Sequence, residues 1–227
     1  MHQSGTMIEI SRPDGSTLPA YLATPAAGER APGVVVIQEW WGLNEQMKRT
    51  ADRLAAAGYR ALVPDLYRGR VAGDAAEANH MMSHLDWPGA CHQDIRGAVE
   101  YLKASGAKVA VLGFCMGGAL TLMALVHVPG VDAGVCFYGI PPAEAADPAK
   151  IRAPLLGHFA IHDDWCTPTA VNGLEATLRA AGVPHTLHRY DAHHAFFNEA
   201  RPEVYDRASA DLAWQRSIDF LRAQLGG

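Results

Sequence analysis

The sequence predicts an α/β protein in which a mostly parallel sheet carries helices on both faces. Three observations predict it. Strand-like and helix-like segments alternate along nearly the whole chain, the strand-like runs are short and apolar on successive residues, and glycine or proline punctuates several junctions. The chain has 227 residues, 49% of them apolar and 19% charged, enough for one sizeable core. No repeat, low-complexity tract or linker divides it, so residues 1–227 read as one domain.

Segments 7–11 and 18–23 flank the turn-like Arg12-Pro13-Asp14-Gly15-Ser16 and read as an antiparallel hairpin at a sheet edge. Residues 34–38 are a β-branched run suited to a strand buried on both faces. Asn44 opens a helix with Met47, Ala51, Leu54 and Ala55 on one face, and Gly58 ends it. A strand over 60–63 stops at Pro64, and 69–88 gives a mixed signal with one short helix. Ile95, Ala98, Val99 and Leu102 recur at helical spacing, with Gly106 as a stop. Strand 109–112, helix 119–126, strands 133–137 and 155–159, helix 168–180 and strand 186–190 follow. A last helix from about 204 to 225 carries Ala210, Trp214, Ile218, Leu221 and Leu225 on one stripe. Sheets of this kind place their functional loops at the carboxyl ends of the strands.

Charge and composition exclude several functions. A net charge of −5 with no basic stripe argues against a nucleic-acid partner. No apolar run approaches the ~20 residues that span a bilayer, so no membrane partner is expected. Residues 1–10 lack a signal-peptide pattern, which points to the cytoplasm. Cys91, Cys115, Cys136 and Cys166 form no CxxC pair and read as free thiols. Oligomeric state is left open between a monomer and a small homo-oligomer.

The chemistry-bearing motif is Gly113-Phe114-Cys115-Met116-Gly117-Gly118, set between a strand and a helix. That is the context of a G-x-nucleophile-x-G elbow, with Cys115 where serine usually stands. A Cβ at 113 or 117 would crowd the neighbouring strand and helix. The helix start aims free N–H groups and its positive dipole at Cys115, with the Met116 amide as an oxyanion donor. The alternative is a buried apolar thiol beside a glycine turn.

A nucleophilic thiol needs a base, and the base an orienting acid, in the chain order nucleophile, acid, histidine. Strand 155–159 runs into Asp163 and Asp164, and strand 186–190 runs into His193 and His194. Either acid and either histidine satisfies the order. Single polar loop residues mean little in a chain with eleven histidines, but an acid and a histidine in order on strand-end loops suit a triad.

These motifs resemble the dienelactone hydrolase family of cysteine-nucleophile α/β-hydrolases. The elbow is similar, as are Ile37-Gln38-Glu39-Trp40-Trp41-Gly42-Leu43-Asn44, Pro64-Asp65-Leu66-Tyr67 and Cys136-Phe137-Tyr138-Gly139. So are Gly157-His158-Phe159-Ala160-Ile161-His162-Asp163-Asp164-Trp165 and His193-His194-Ala195-Phe196-Phe197-Asn198, running into Arg201-Pro202-Glu203-Val204-Tyr205. The similarity covers nearly all of the chain from Val34 onward. It implies the α/β-hydrolase fold, with Cys115 as nucleophile, His194 as base and Asp163 as acid. Alignment of Trp165 with the aromatic after the family's acid selects Asp163 over Asp164. A small residue and phenylalanine after the histidine select His194 over His193. The resemblance further implies that Glu39 controls ionisation of the thiol and that the Trp40 amide is the second oxyanion donor. From the residues alone, a carboxylate ending a buried strand is costly unless paired or protonated.

The implied activity is hydrolysis of an activated ester or lactone, such as a carboxymethylenebutenolide, through a Cys115 thioester. The substrate is a small molecule, and no cofactor or metal is called for. One departure concerns substrate binding. Asn198 stands where the family carries a substrate-binding arginine, with Arg201 slightly further on and Arg68 and Arg70 as weaker candidates. Trp40, Trp41, Trp87 and Phe196 are candidates to line an apolar pocket. The first alternative is a broad carboxylesterase or thioesterase of the same fold with a different acyl substrate. A non-catalytic binding module and a metal enzyme using His80, His84, Cys91 and His92 are weaker, the latter because no HExxH-like motif accompanies the histidines.

Overall fold

In the computed structural model, which describes residues 4–226, the chain opens with a hairpin of β1 (Thr6–Ser11) and β2 (Thr17–Ala23). Residues 1–3 of the segment read for a targeting signal lie outside the described residues. Then come β3 (Gly33–Ile37), α1 (Glu45–Ala56), β4 (Arg60–Pro64) and α2 (Ala75–Ser83). A single helical turn, α3 (Trp87–Gly89), passes through a π-helical stretch, Ala90–Ile95, into α4 (Arg96–Lys103). The second half holds β5 (Val109–Phe114), α5 (Met116–His127), β6 (Ala133–Phe137) and β7 (Leu155–His162). It ends with α6 (Pro168–Ala180), β8 (His185–His193) and α7 (Arg207–Leu225).

The strands form one sheet in the order β1-β2-β4-β3-β5-β6-β7-β8. Pairings from β4 through β3 to β8 are parallel, while β1/β2 and β2/β4 are antiparallel. This is the α/β-hydrolase architecture. Strand β3 shows why its run is apolar throughout. Val34 and Val36 pack into the core on one face with α1 and α7, and Val35 and Ile37 into the core on the other, with α4, α5 and α6. Both faces are dry, so a period-two polar alternation has no place.

Local chemistry explains the helix ends. The Asn44 side chain accepts the Met47 N–H and caps α1, a contact worth about 1 kcal/mol. Asp206 does the same for α7 through Ser209, so that helix begins at Arg207 rather than near 204. Helix α5 starts at Met116, three residues before the apolar run suggests, because the glycines at 117 and 118 face carbonyls in neighbouring loops. It is buried nearly all round, as a helix in the middle of one layer must be.

Strands β7 and β8 outrun the expected 155–159 and 186–190 and stay paired to His162 and His193, across an irregularity between Ala160 and His162. The last residues of β8 alternate between buried and exposed and the last two of β7 are both exposed, so apolarity alone does not mark them as strand. The extension decides where the loop residues stand. Asp163 follows β7 directly, and His194 follows β8 directly.

The strand order reverses at β3, whose neighbours β4 and β5 lie on opposite sides of it. Crossovers leave such a point in opposite directions and open a crevice at the carboxyl ends of the strands. Cys115 and Glu39 follow the two strands that border it.

Candidate active site

Cys115 sits between β5 and α5 with φ 54° and ψ −114°, a conformation L-residues rarely adopt. Strain of this kind costs of order 1–3 kcal/mol and persists only where the surroundings impose it. Here they do. The Cys115 N–H donates to the Phe137 carbonyl at 3.0 Å, and its carbonyl accepts from Ala119 N–H at 3.0 Å. A Cβ at Gly113 would strike the Gly117 carbonyl, and one at Gly117 the carbonyls of Ile37 and Gln38. The same approach brings the loop after β3 against the start of α5. Met116, the first residue of α5, has no acceptor for its N–H within the helix.

Three side chains line up from this turn. His194 Nε2 lies 3.2 Å from Cys115 Sγ, and His194 Nδ1 lies 2.8 Å from Asp163 Oδ2. Asp163 Oδ1 accepts the N–H groups of Trp165 at 2.7 Å and Cys166 at 2.8 Å, so every oxygen of this buried carboxylate is engaged. Asp164 points to solvent. His193 is also exposed and packs its ring 5.4 Å from that of His162. The structure brings together Cys115, His194 and Asp163, and leaves the neighbouring acid and histidine outside.

Electrostatics follow from these contacts. Burial works against a charge on His194, but the hydrogen bonds to Asp163 and Cys115 and their charges outweigh it, lifting the ring to about 10. Burial would raise Asp163, yet the His194 contact and the two backbone amides hold its carboxyl below the usual range. The other three thiols differ. Burial pushes Cys91 and Cys136 up to about 12 and Cys166 higher still, and all three are buried, whereas Cys115 is half-exposed.

Glu39 is 2% exposed, and burial raises its carboxyl above the normal value. Tyr138 Oη donates to its Oε1 at 3.2 Å and Asn198 Nδ2 to its Oε2 at 2.6 Å. Burial, reinforced by the charges of Glu39 and Cys115, keeps the Tyr138 phenol protonated, so it remains a donor. Tyr138 and Asn198 had no assigned role in the sequence. Tyr138 lies in a family-like motif and directly follows β6 at its carboxyl end, and Asn198 stands at the position of the family's arginine, four residues after His194, but neither signal pointed to Glu39.

A cavity of about 460 Å³ opens over Cys115, His194 and Glu39. Its walls include Trp40, Trp41, Trp87 and Trp165, with Met82 and Ile140. Phe196, expected among them, is instead fully buried between Tyr138 and Tyr190, because the turn at Ala195 (φ 65°) directs it into the core. Arg201 reaches this cavity. Arg68 and Arg70 do not: they line a separate cavity of about 260 Å³, where Arg68 pairs with Asp94 at 2.9 Å and Arg70 with Glu77 at 3.7 Å.

Known proteins resemble this chain over nearly its whole length. Residues 18–225 match the dienelactone hydrolase family. "Protein usf" of Aquifex pyrophilus is 33% identical over 232 residues, covering 97% of this chain and 99% of that protein. A protein of Aquifex aeolicus named "Putative carboxymethylenebutenolidase" is 31% identical over 97% of this chain and 99% of its own length. Among solved structures, that of a "Putative Dienelactone Hydrolase" from Klebsiella pneumoniae superposes with a TM-score of 0.83 at 27% identity, over 96% of this chain and 98% of that one. On the family match and these identities, the chain belongs to the dienelactone hydrolase family.

Proposed function

We propose that this hydrolase cleaves activated carboxylic esters or lactones through a thioester on Cys115. The observation that carries the reading is the continuous contact Asp163–His194–Cys115, at 2.8 and 3.2 Å, on the floor of an aromatic cavity. An imidazolium beside the sulfur favours a thiolate, which attacks without a proton first being removed.

Cys115 Sγ adds to the carbonyl carbon, and the oxyanion is held by the N–H groups of Met116 and Trp40. Loss of one such donor would cost about 3 kcal/mol of transition-state stabilisation. The oxyanion collapses, the C–O bond breaks, and His194 gives its proton to the departing oxygen. Acylation removes the sulfur's charge and with it part of what holds a proton on His194, so the ring stays neutral after giving its proton up and serves as the base for the attacking water. Hydroxide adds to the thioester, the C–S bond breaks, and the acid leaves with Cys115 and His194 returned to their starting charges. Asp163 holds Nδ1 throughout and presents Nε2 to the sulfur.

Burial raises the Glu39 carboxyl beside this chemistry, and its two oxygens are held by Tyr138 and Asn198 rather than by a cation. The neutral partner at 198 favours the broader esterase alternative over a strict dienelactone hydrolase.

Turnover of 4-nitrophenyl esters and of unsaturated lactones by the wild type and by Cys115→Ala tests the reading. The variant is expected to lose at least ~10⁴-fold in kcat, and brief reaction followed by acid quench should leave an acyl mass on the peptide holding Cys115. Near wild-type turnover in the variant, or acyl mass on another residue, defeats it.

A further inference from the structure

We propose that the cavity takes a neutral substrate, an ester or lactone with an aromatic or bulky apolar group and no carboxylate, and that Glu203 determines this by neutralising Arg201. The inference rests on the reading of Cys115 as the centre of ester hydrolysis and adds the substrate's charge.

Among the described residues lining the cavity, Arg201 carries the one guanidinium, and no lysine joins it. That cation is already occupied. Its Nε and one terminal nitrogen meet the same Glu203 oxygen at 2.7 and 2.6 Å, and its guanidinium carbon stands 5.5 Å from the centre of the Trp41 ring. Glu203 already offsets that charge, so a substrate carboxylate gains less from this guanidinium than it would from an unpaired one. Asn198 offers nothing to it, since its amide is committed to Glu39 at 2.6 Å.

The rest of the wall is suited to an apolar group. Trp40 meets Trp41 edge to face at 5.4 Å and Trp165 at 6.0 Å. Trp165 is 63% exposed, an unusual amount of apolar surface to leave in water beside a cavity. Covering it with an aromatic or alkyl group is favourable, whereas bringing a carboxylate there strips its water without a free partner.

Two esters with the same leaving group and acyl length test the proposal: 4-nitrophenyl hexanoate, which is neutral, and 4-nitrophenyl hydrogen adipate, which ends in a carboxylate. Wild-type kcat/KM is expected to favour the hexanoate by at least about tenfold, and Glu203→Gln to shrink that ratio by about tenfold, the worth of one charge-assisted contact. Adding Arg201→Met to Glu203→Gln should restore the wide ratio. Wild-type preference for the adipate, or a ratio unmoved by Glu203→Gln, overturns the proposal. Binding of both esters to Cys115→Ala, read by tryptophan fluorescence, separates the two readings. Tighter binding of the hexanoate with no wild-type cleavage of either ester would sink the hydrolytic reading and leave the charge selection standing. Equal or tighter binding of the adipate would sink the charge selection alone.

Discussion

Asn198 donates its side-chain amide to Glu39 at 2.6 Å, across 159 residues of chain. With the Tyr138 hydroxyl on the other oxygen, the contact surrounds a buried carboxyl with neutral donors. Hydrogen bonds from these donors offset part of the cost of burying the carboxyl, so no cation has to touch it.

Glu39→Gln and Glu39→Ala should therefore differ. The glutamine substitution would keep the shape and one acceptor, while the alanine substitution would leave the Tyr138 and Asn198 donors unpaired, at a cost of about 1–3 kcal/mol each. Urea unfolding should show the alanine variant clearly less stable than the glutamine variant. Iodoacetamide labelling of Cys115 then reports whether Glu39 also influences the thiol. Equal stability of the two variants would show that the hydrogen bonds contribute nothing.

Asp163→Asn removes the largest influence that raises His194, the Asp163 hydrogen bond, together with the Asp163 charge. The ring should titrate well below its value of about 10, measured by NMR of its ring protons. Turnover should fall by roughly 10²–10⁴, since the amide can hold the wrong tautomer. The sign for stability follows: a histidine raised from 6.5 to about 10 contributes stability fully present below pH 6.5 and lost as pH rises through about 10. Wild type should lose that stability over this window, and Asp163→Asn should lose less.

His158 has the opposite sign. It is fully buried, bonded to Tyr190 Oη at 2.8 Å and Ser217 Oγ at 3.0 Å, and burial pushes it well below its ordinary 6.5. The unfolded chain takes up this proton and the folded one does not, so stability falls as pH drops below about 6.5. The loss from this one group is at most about 1.4 kcal/mol at pH 5.5, reached when the folded ring takes up no proton. Denaturant midpoints at pH 7.5 and 5.5 measure it, and His158→Gln should flatten the slope.

Gly117→Ala and Gly173→Ala form a contrasting pair, both in helices. Alanine usually improves a helix by up to about 1 kcal/mol over glycine. At 173 a Cβ meets open space, so a gain is expected. At 117 it meets the Ile37 and Gln38 carbonyls, so a loss of about 1–3 kcal/mol is expected. Pushing the Trp40 loop off the elbow should also cost on the order of 10² in kcat. Thermal melts and ester turnover check both.

Much of this was legible in the chain because the signals are local. Asn44 caps its own helix, Val34 to Ile37 announce a strand buried on both sides, and Gly113 and Gly117 mark a turn that only glycine permits. The order of Cys115, Asp163 and His194 at the ends of β5, β7 and β8 follows from the same alternation. Tertiary structure decided the rest, because those questions depend on direction and on residues far apart in sequence. Adjacent side chains at 163 and 164, or 193 and 194, differ only in which way they point, and the lengths of β7 and β8 set that. Likewise nothing near Asn198 shows that its partner is Glu39, nor anything near Phe196 that it turns inward. A hydrogen bond between distant residues exists only once the sheet has set their strands and loops side by side.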